Sequence, residues 1–327
     1  MYLRWLVVLA AFVPAAAADP PQISVVDLSQ GGKMASAAAI DDRGRIVGQG
    51  NLGTGAHAVL FEDGVITDLG TVPGLPSSRA TGLNDRGEIV GFGYVTGLGD
   101  AHALQWNHRG VRDLHPPDAV RSWAAGINSS GVAVGTFLLP NAGQYSLAVW
   151  ERGKLSAVDP GYGNAINRRG IVAGAVYGRG AALWERGERT DLGWGWESMV
   201  TAITDDGDLA GHRGLGAVNA EAYFVKGTVP SVLPPLPGDP AALAYGVNRR
   251  GQVVGVSIWC EFECRFFRMR PVLWQDGQVI ELPRLGEGEG IAAGINDDGD
   301  IVGTVGTSCS YLETCEGRSR AVLWRVE

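Results

Sequence analysis

The hydrophobic and polar positions of the chain repeat one pattern seven times. Each copy has a short apolar run, a polar turn that ends in glycine, and a second apolar run, as in ATGLNDRGEIVG. The copies occupy 37–48, 80–91, 124–135, 163–174, 200–211, 244–255 and 292–303. This arrangement predicts a β-hairpin, because Asn or Asp can bind its own backbone to start a turn and glycine supplies a positive φ.

A second hairpin follows each copy of the first. It contains a strand such as HALQW, a turn with glycine and a strand that ends near Asp-Leu. Four strands repeated about every forty residues are typical of a propeller blade. An α-solenoid has a similar period, but each internal glycine would cost its helices about 1 kcal/mol relative to alanine. We therefore expect an all-β fold, a seven-bladed β-propeller of four-stranded blades.

The two ends of the chain complement each other. The last repeat stops at Glu327 after its third strand, and ISVVDL at 23–28 is a strand without a repeat of its own. If the N-terminal strand completes the last blade, the ring leaves no open edge. We expect one domain over 19–327, closed by this pairing, and a monomer.

The first 18 residues have the pattern of a secretory signal peptide. Arg4 precedes an apolar run, and small residues stand before Asp19, as at a cleavage site. The run is shorter than the roughly 20 residues that cross a bilayer. We expect residues 1–18 to be removed and the mature protein to be secreted, extracellular or periplasmic, without a membrane span.

Charge argues against one class of partner. The chain has 27 Lys and Arg against 35 Asp and Glu, a net charge of −8, and its basic residues are dispersed among acidic ones. Binding to nucleic acid requires clustered Lys and Arg. We expect no nucleic-acid partner.

The sequence gives little support for catalysis or metal binding. The sequence has no G-x-S-x-G, no H-E-x-x-H and no phosphate-binding glycine loop. His57 and His102 recur with the repeat, and the same position in later copies holds Ser146, Gly180, Glu221, Arg270 and Arg320. We therefore assign the histidines to hydrogen bonding or packing at strand ends. We expect no catalytic residue, no metal and no cofactor.

Tryptophan occurs in two settings. Five residues recur at one strand position and are expected to be buried between blades: Trp106, Trp150, Trp184, Trp274 and Trp324. Four others are not required by the repeat, and we place them in connections on one loop face, as candidate ligand-binding residues: Trp123, Trp194, Trp196 and Trp259. Local packing of longer loops is the alternative for each of them.

The cysteines form two closely spaced pairs, Cys260 with Cys264 and Cys309 with Cys315. Disulfides are the expected state in an exported chain. We favour bridges 260–264 and 309–315, and bridges between adjacent blades are the alternative. Zinc is disfavoured because the spacings are not those of zinc ribbons.

The repeat, with I-N-x-x-G, H-A-x-L-W and D-L-G, resembles that of the bacterial extracellular HAF repeat proteins over essentially the whole mature chain. The first two copies, with His57-Ala58 and His102-Ala103, match most fully. The resemblance implies an exported repeat protein and carries no established reaction.

Two functions remain in view. The first is a non-catalytic binding or scaffolding protein that uses the loop face to hold a protein, peptide or glycan. The second is a propeller hydrolase or lyase that acts on an extracellular polymer. A central pocket with two or more carboxylates and a His or Arg would favour the enzyme, and an aromatic rim without such a cluster would favour binding.

Overall fold

The computed structural model describes residues 21–52, 55–95, 100–214, 219–261, 266–286, 288–306, 308–310, 314–316 and 319–326. The expected signal peptide and Cys264 lie outside these residues. Within them the regular structure is entirely β, in 29 strands. The same residues include no helix with the length and apolarity needed to cross a membrane.

Strands follow the repeats in order. β1 (Ile23–Asp27) precedes the first repeat, which forms β2 (Ser36–Ile40), β3 (Ile46–Asn51), β4 (Ala56–Glu62) and β5 (Val65–Gly70). The second repeat forms β6 (Ser77–Leu83), β7 (Ile89–Tyr94), β8 (Ala101–Asn107) and β9 (Gly110–Asp113). The third and fourth form β10 (Arg121–Ile127), β11 (Ala133–Leu138), β12 (Ser146–Glu151), β13 (Lys154–Ile166), β14 (Val172–Val176), β15 (Gly180–Glu185) and β16 (Glu188–Asp191).

The remaining repeats continue the series. The fifth forms β17 (Ser198–Ile203), β18 (Leu209–Arg213), β19 (Glu221–Lys226) and β20 (Val229–Leu233). The sixth forms β21 (Ala241–Val247), β22 (Val253–Glu261), β23 (Phe266–Gln275) and β24 (Gln278–Glu281). The seventh forms β25 (Glu289–Ile295), β26 (Ile301–Gly306), β27 (Ser308–Ser310), β28 (Thr314–Glu316) and β29 (Arg320–Val326).

These strands form antiparallel sheets of four, with two departures. The third and fourth repeats share one seven-stranded sheet, because β13 pairs with β12 as far as Pro160 and with β14 from Gly161 onward. β27 and β28 form a separate two-stranded hairpin in which Cys309 is opposite Cys315. The disulfide pairings themselves stay a prediction.

The N-terminal strand lies beside the last repeat. β1 pairs with β29 from Ile23 opposite Val326 to Asp27 opposite Val322, in a sheet ordered β1-β29-β26-β25. The amide of Leu28 also donates to the carbonyl of Ala321 at 2.9 Å. The sheet of the last repeat thus takes its fourth strand from the other end of the chain.

The turn chemistry expected from the sequence is confirmed. Asn84 Oδ1 accepts hydrogen bonds from the amides of Arg86 and Glu88, both at 3.0 Å, and Gly87 has a φ of 80°. Equivalent asparagines make the same pair of bonds, for example Asn128 and Asn248. The amide oxygen of each asparagine therefore holds its own turn closed.

The other half of each amide joins neighbouring repeats. Nδ2 donates to the carbonyl of the matching residue in the next repeat: Asn84 to Asn128 at 2.8 Å, Asn128 to Asn167 at 3.1 Å, Asn167 to Thr204 at 3.2 Å, Asn248 to Asn296 at 3.0 Å and Asn296 to Asp41 at 3.2 Å. Asp41 has no such donor, and Arg45 binds both its carboxylate, at 2.7 Å, and the carbonyl of Asn84, at 3.1 Å.

Apolar side chains are buried between successive sheets. Val47 and Ala58 of the first repeat pack with Ile89, Leu104 and Trp106 of the second. The repeat glycine after the second apolar run permits close approach of the first strand: a Cβ on Gly91 would lie 2.0 Å from the carbonyl oxygen of Arg79. This contact explains part of the high glycine content.

Burial of the recurring tryptophans is also confirmed. All five are at most 3% exposed. Their indole N–H groups donate to the repeat before them, as Trp150 does to the carbonyl of Leu114 at 3.0 Å and Trp324 to that of Pro283 at 2.6 Å. They pack one sheet against the next and are unavailable to a ligand.

Candidate functional site

Two ends of the sheets must be distinguished. We call the end with the first-hairpin turns of the repeats, at 41–44, 84–87, 128–131, 167–170, 204–207, 248–251 and 296–299, the turn face. The opposite end has the connections between second and third strands and between successive sheets, such as 139–145, 177–179 and 192–197, and we call it the loop face. Because β-strands in each hairpin are antiparallel, these two classes of connection lie at opposite ends.

The turn face contains a cavity of about 210 Å³. The residue after each buried Asn, Asp or Thr lines it in six repeats: Asp42, Asp85, Ser129, Arg168, Asp205 and Asp297. The lining of this cavity therefore has more than two carboxylates and one arginine, the combination that would favour an enzyme.

Most of these carboxylates already join neighbouring turns. Asp205 accepts a hydrogen bond from the amide of Arg168 at 2.8 Å, and Asp42 accepts one from the amide of Asp297 at 3.0 Å. Asp297 in turn binds the amide of Arg249 at 2.9 Å, as well as its guanidinium. Burial, followed by repulsion from Asp297 and Asp85, raises the pKa of Asp42 above its usual range.

Asp85 differs from the other three. In the described part of the chain its carboxylate makes no hydrogen bond or ion pair. It is exposed at the rim of the cavity. Asp42 and Asp85 are therefore the carboxylates to test for chemistry at this face.

The predicted strand-end role of the histidines is confirmed. His57 Nδ1 lies 2.9 Å from Asp68, and His102 Nδ1 lies 2.8 Å from Asp113, each joining a third strand to the fourth strand beside it. Where the sequence replaces histidine by arginine, the pairing persists, as between Arg270 and Glu281 at 3.2 Å. The histidine of the repeat is thus a basic residue in a structural pair.

A serine–histidine contact at the loop face is also structural. His115 Nδ1 lies 2.9 Å from Ser122 Oγ. Ser122 is fully buried and accepts the amide of Ala103, so its hydroxyl is closed to substrate. Burial, with the neighbouring His102, lowers the pKa of His115. Ser78 and Ser198 bind backbone amides in the same way.

The four candidate tryptophans are only partly where the sequence places them. Trp194 and Trp196 lie in the connection before β17, as expected. Trp123 lies in β10 and Trp259 in β22, so placing them in connections was wrong. The reason is strand length: β10 begins at Arg121, and β22 continues to Glu261 opposite Phe266 of β23.

Three of the four contact another side chain of the protein through the ring. Trp123 packs on Tyr145 with ring centroids 5.0 Å apart, and Trp194 stacks on Tyr223 at 5.3 Å. Arg268 lies over Trp259 at 5.4 Å. Trp196 is 70% exposed, and no ring or cation contact to it is found among the described residues. Of the candidates, Trp196 is the one that presents its indole to solvent.

Trp196 forms one wall of a cleft of about 250 Å³ on the loop face. Tyr162 of β13 and Tyr177, which follows β14 and is 52% exposed, form the other aromatic walls. Glu197 and Met199 also line this cleft. Burial raises the pKa of Tyr162, so this phenol is neutral at physiological pH.

The cleft is the end of a row of aromatic rings. The ring centroids of Tyr145 and Tyr162 are 5.7 Å apart, and those of Tyr162 and Tyr177 are 6.3 Å apart. Sequence reasoning missed these tyrosines because only tryptophans outside the repeat were considered. The same criterion applied to tyrosine would have found Tyr177, in a connection between second and third strands.

No protein-family model matches the chain, and no curated protein matches it significantly. Several solved structures do match the chain. The β-propeller domain of the Trilobed protease from Pyrococcus furiosus, described as having an open velcro topology, matches with a TM-score of 0.55 at 13% identity, over 90% of this chain and 94% of that one. The fold is a β-propeller.

Two further structures agree with this fold. Virginiamycin B lyase from Staphylococcus aureus matches with a TM-score of 0.58 at 12% identity, over 93% of this chain and 99% of that one. An acylaminoacyl peptidase from Pyrococcus horikoshii matches with a TM-score of 0.52 at 13% identity, over 92% of this chain and 53% of that one. At such identities the likeness concerns the fold, since unrelated functions share propellers.

Proposed function

We propose that this chain is an exported, non-catalytic binding protein: a seven-bladed β-propeller that holds its ligand in the cleft of Tyr162, Tyr177 and Trp196. The signal-like segment at 1–18 and the resemblance to HAF repeat proteins support export. The ligand is a small group presented by a protein, peptide or glycan.

Ring closure is part of the proposal. The pairing of β1 with β29 supports it. So does the hydrogen bond from Asn296 to the carbonyl of Asp41, which links the last repeat to the first. Seven repeats joined in this way would form a ring with a turn face and a loop face at its two mouths.

The exposure of Trp196 carries the binding proposal. An indole that is 70% exposed beside a tyrosine that is 52% exposed is not needed to pack the sheets. Clustered exposed aromatics on a soluble protein mark interaction sites.

A capture experiment tests this function. The mature protein, residues 19–327, is applied to glycan and peptide arrays and used in pull-downs from the medium of its source cells. We expect one ligand class to be retained by the native protein and lost with Trp196→Ala, while Arg168→Ala on the turn face retains it. Capture that is indifferent to Trp196 would reject the proposal.

The turn-face cavity supports a second candidate function, hydrolysis or elimination on a polymer. The supporting observation is the proximity of Asp42, whose pKa is raised, to the unpaired Asp85. Polymers incubated with the native protein would then release products, and Asp42→Asn or Asp85→Asn would abolish this release. Absence of product from polymers that the protein retains would reject the enzyme.

A further inference from the structure

The cleft on the loop face combines aromatic walls with one carboxylate. Tyr162, Tyr177 and Trp196 supply the ring faces, and Glu197 lies between Trp196 and the first residue of β17. Among the described residues, no hydrogen bond or ion pair engages the Glu197 carboxylate. Aromatic faces carry negative potential from their quadrupoles. The three ring faces and the Glu197 carboxylate therefore all favour a cation in the cleft.

The same face shows how this protein uses aromatic rings elsewhere. Arg213 lies 5.7 Å from the ring of Tyr223 and is paired with Glu221 at the next strand. Arg268 lies 5.4 Å from the ring of Trp259. At Tyr223, then, an aromatic face and a carboxylate together hold a cation. The cleft has the face and the carboxylate, and in the described residues no cation lies over Trp196 or Tyr177.

We propose that the cleft binds an organic cation, namely a quaternary or methylated alkylammonium head group. This inference rests on the proposed binding function and names the chemistry of its ligand. A volume of about 250 Å³ is below the roughly 300–1,000 Å³ of pockets for drug-sized ligands. It suits a head group that is attached to something larger. Aromatic walls with a nearby carboxylate are the recognised way to hold such groups.

A neutral isostere provides the matched ligand. Choline and 3,3-dimethylbutan-1-ol have nearly the same shape and differ by the charge, so calorimetric titration of residues 19–327 with each isolates the cationic contribution. We expect choline to bind about tenfold more tightly or better. Tetramethylammonium should compete with it.

Variants then locate the binding. Trp196→Leu keeps an apolar wall and removes the π face, and Glu197→Gln keeps the shape and removes the charge. Each should weaken choline about fivefold or more while changing the affinity for the neutral alcohol less than about twofold. Trp259→Leu, whose ring already faces Arg268, and Ser130→Ala, at an exposed position of a turn-face turn, should leave choline binding unchanged. Circular dichroism checks that each variant is folded.

The outcomes separate this inference from the function on which it rests. Equal affinity for choline and the alcohol, or binding that survives both Trp196→Leu and Glu197→Gln, overturns the cation proposal. Failure of choline to bind, with Trp196-dependent capture on the arrays, overturns it and leaves the binding function intact. Failure of both assays rejects both proposals.

Discussion

At the turn face the turns share one four-residue form and their buried asparagines bind one another, whereas at the loop face the connections differ in length and content, from 177–179 to 139–145. Part of the charge pairing follows the same division. The turn-face carboxylates Asp205 and Asp297 bind the amides of Arg168 and Arg249. On the loop face Trp196 and Glu197 have no such partners among the described residues.

This difference separates two uses of polar and aromatic residues. Groups that recur with the repeat satisfy one another and hold the sheets together, because each repeat presents the same donor to the next. Groups outside the repeat lack this repeated partner, and two of them, the side chains of Trp196 and Glu197, have no partner among the described residues and are free for a ligand. In our proposal the turn face stabilises the packing of the sheets and the loop face binds the ligand.

The largest effect is expected from removing the strand that joins the two ends. Deletion of residues 19–30 removes β1 and its pairing with β29, and should lower the thermal midpoint by about 10 °C or more or abolish the cooperative transition. The control is the chain that lacks only residues 1–18. An unchanged midpoint would show that the repeats form a linear array.

A buried turn-face asparagine should come next. Asn248 accepts two amides, and its Nδ2 donates to the carbonyl of Asn296 and to Gln252. Asn248→Ala leaves these buried groups unsatisfied and should cost about 2–4 kcal/mol in urea unfolding. Ser130→Ala, in an exposed turn position, should cost less than about 0.5 kcal/mol. Similar costs for both would show that the asparagine links contribute little.

Acid should weaken the protein through a residue near the loop face. Burial lowers the pKa of His212 from 6.5 to about 4. Between these values the unfolded chain takes up a proton that the folded protein excludes, so stability is lost as pH falls from 6.5 to 4, by up to about 3 kcal/mol. Below about pH 4 this group adds no further loss.

The measurement is urea unfolding at pH 7 and pH 4 for the native protein and His212→Gln. The variant should lose less stability between the two values. Turn-face carboxylates act in the opposite sense, since burial raises the pKa of Asp42 and of Asp300 in the folded protein, which favours folding as pH falls. If the native protein and His212→Gln lost the same stability between pH 7 and pH 4, His212 would not be the cause of the loss in acid.

The smallest effect on stability concerns the cysteines. Cys309 and Cys315 are directly opposed in β27 and β28, where Cα separations of about 4.5–5.5 Å suit a disulfide. Mass spectrometry of the exported protein should find no free thiol and peptides linked 260–264 and 309–315. Reduction should lower global stability by no more than about 2 kcal/mol, since both loops are short. Four free thiols would contradict the assignment.

Much of the fold could be predicted because the repeat encodes it locally. Each Asn-x-x-Gly turn is closed by hydrogen bonds within its own hairpin, and each recurring tryptophan donates to the repeat before it. The asparagine links between repeats were not foreseen, since they depend on how successive sheets are placed. The extension of β22 to Glu261 was missed for a related reason: pairing with β23 continues there without a repeat pattern.

The candidate site was predicted only in part. Sequence identified Trp196 by its position outside the repeat, but could not show that Trp194 stacks on Tyr223 or that Trp259 faces Arg268. Those contacts depend on side chains from other strands. Tyr162 joins the cleft because β13 runs through two repeats without a connection. The sequence there, DPGYGN at 159–164, has the proline and glycines of a turn, so it does not reveal the continuous strand.

Whether the ligand binds at the loop face is tested by comparing one residue from each face in the same binding assay. With the ligand captured by the native protein, the dissociation constant is measured for Trp196→Ala and for Arg168→Ala, whose exposed pair with Asp205 at 3.6 Å contributes little to stability. We expect the affinity to fall about tenfold or more for Trp196→Ala and to stay within about twofold for Arg168→Ala. Loss with Arg168→Ala alone, or equal loss with both, would contradict it.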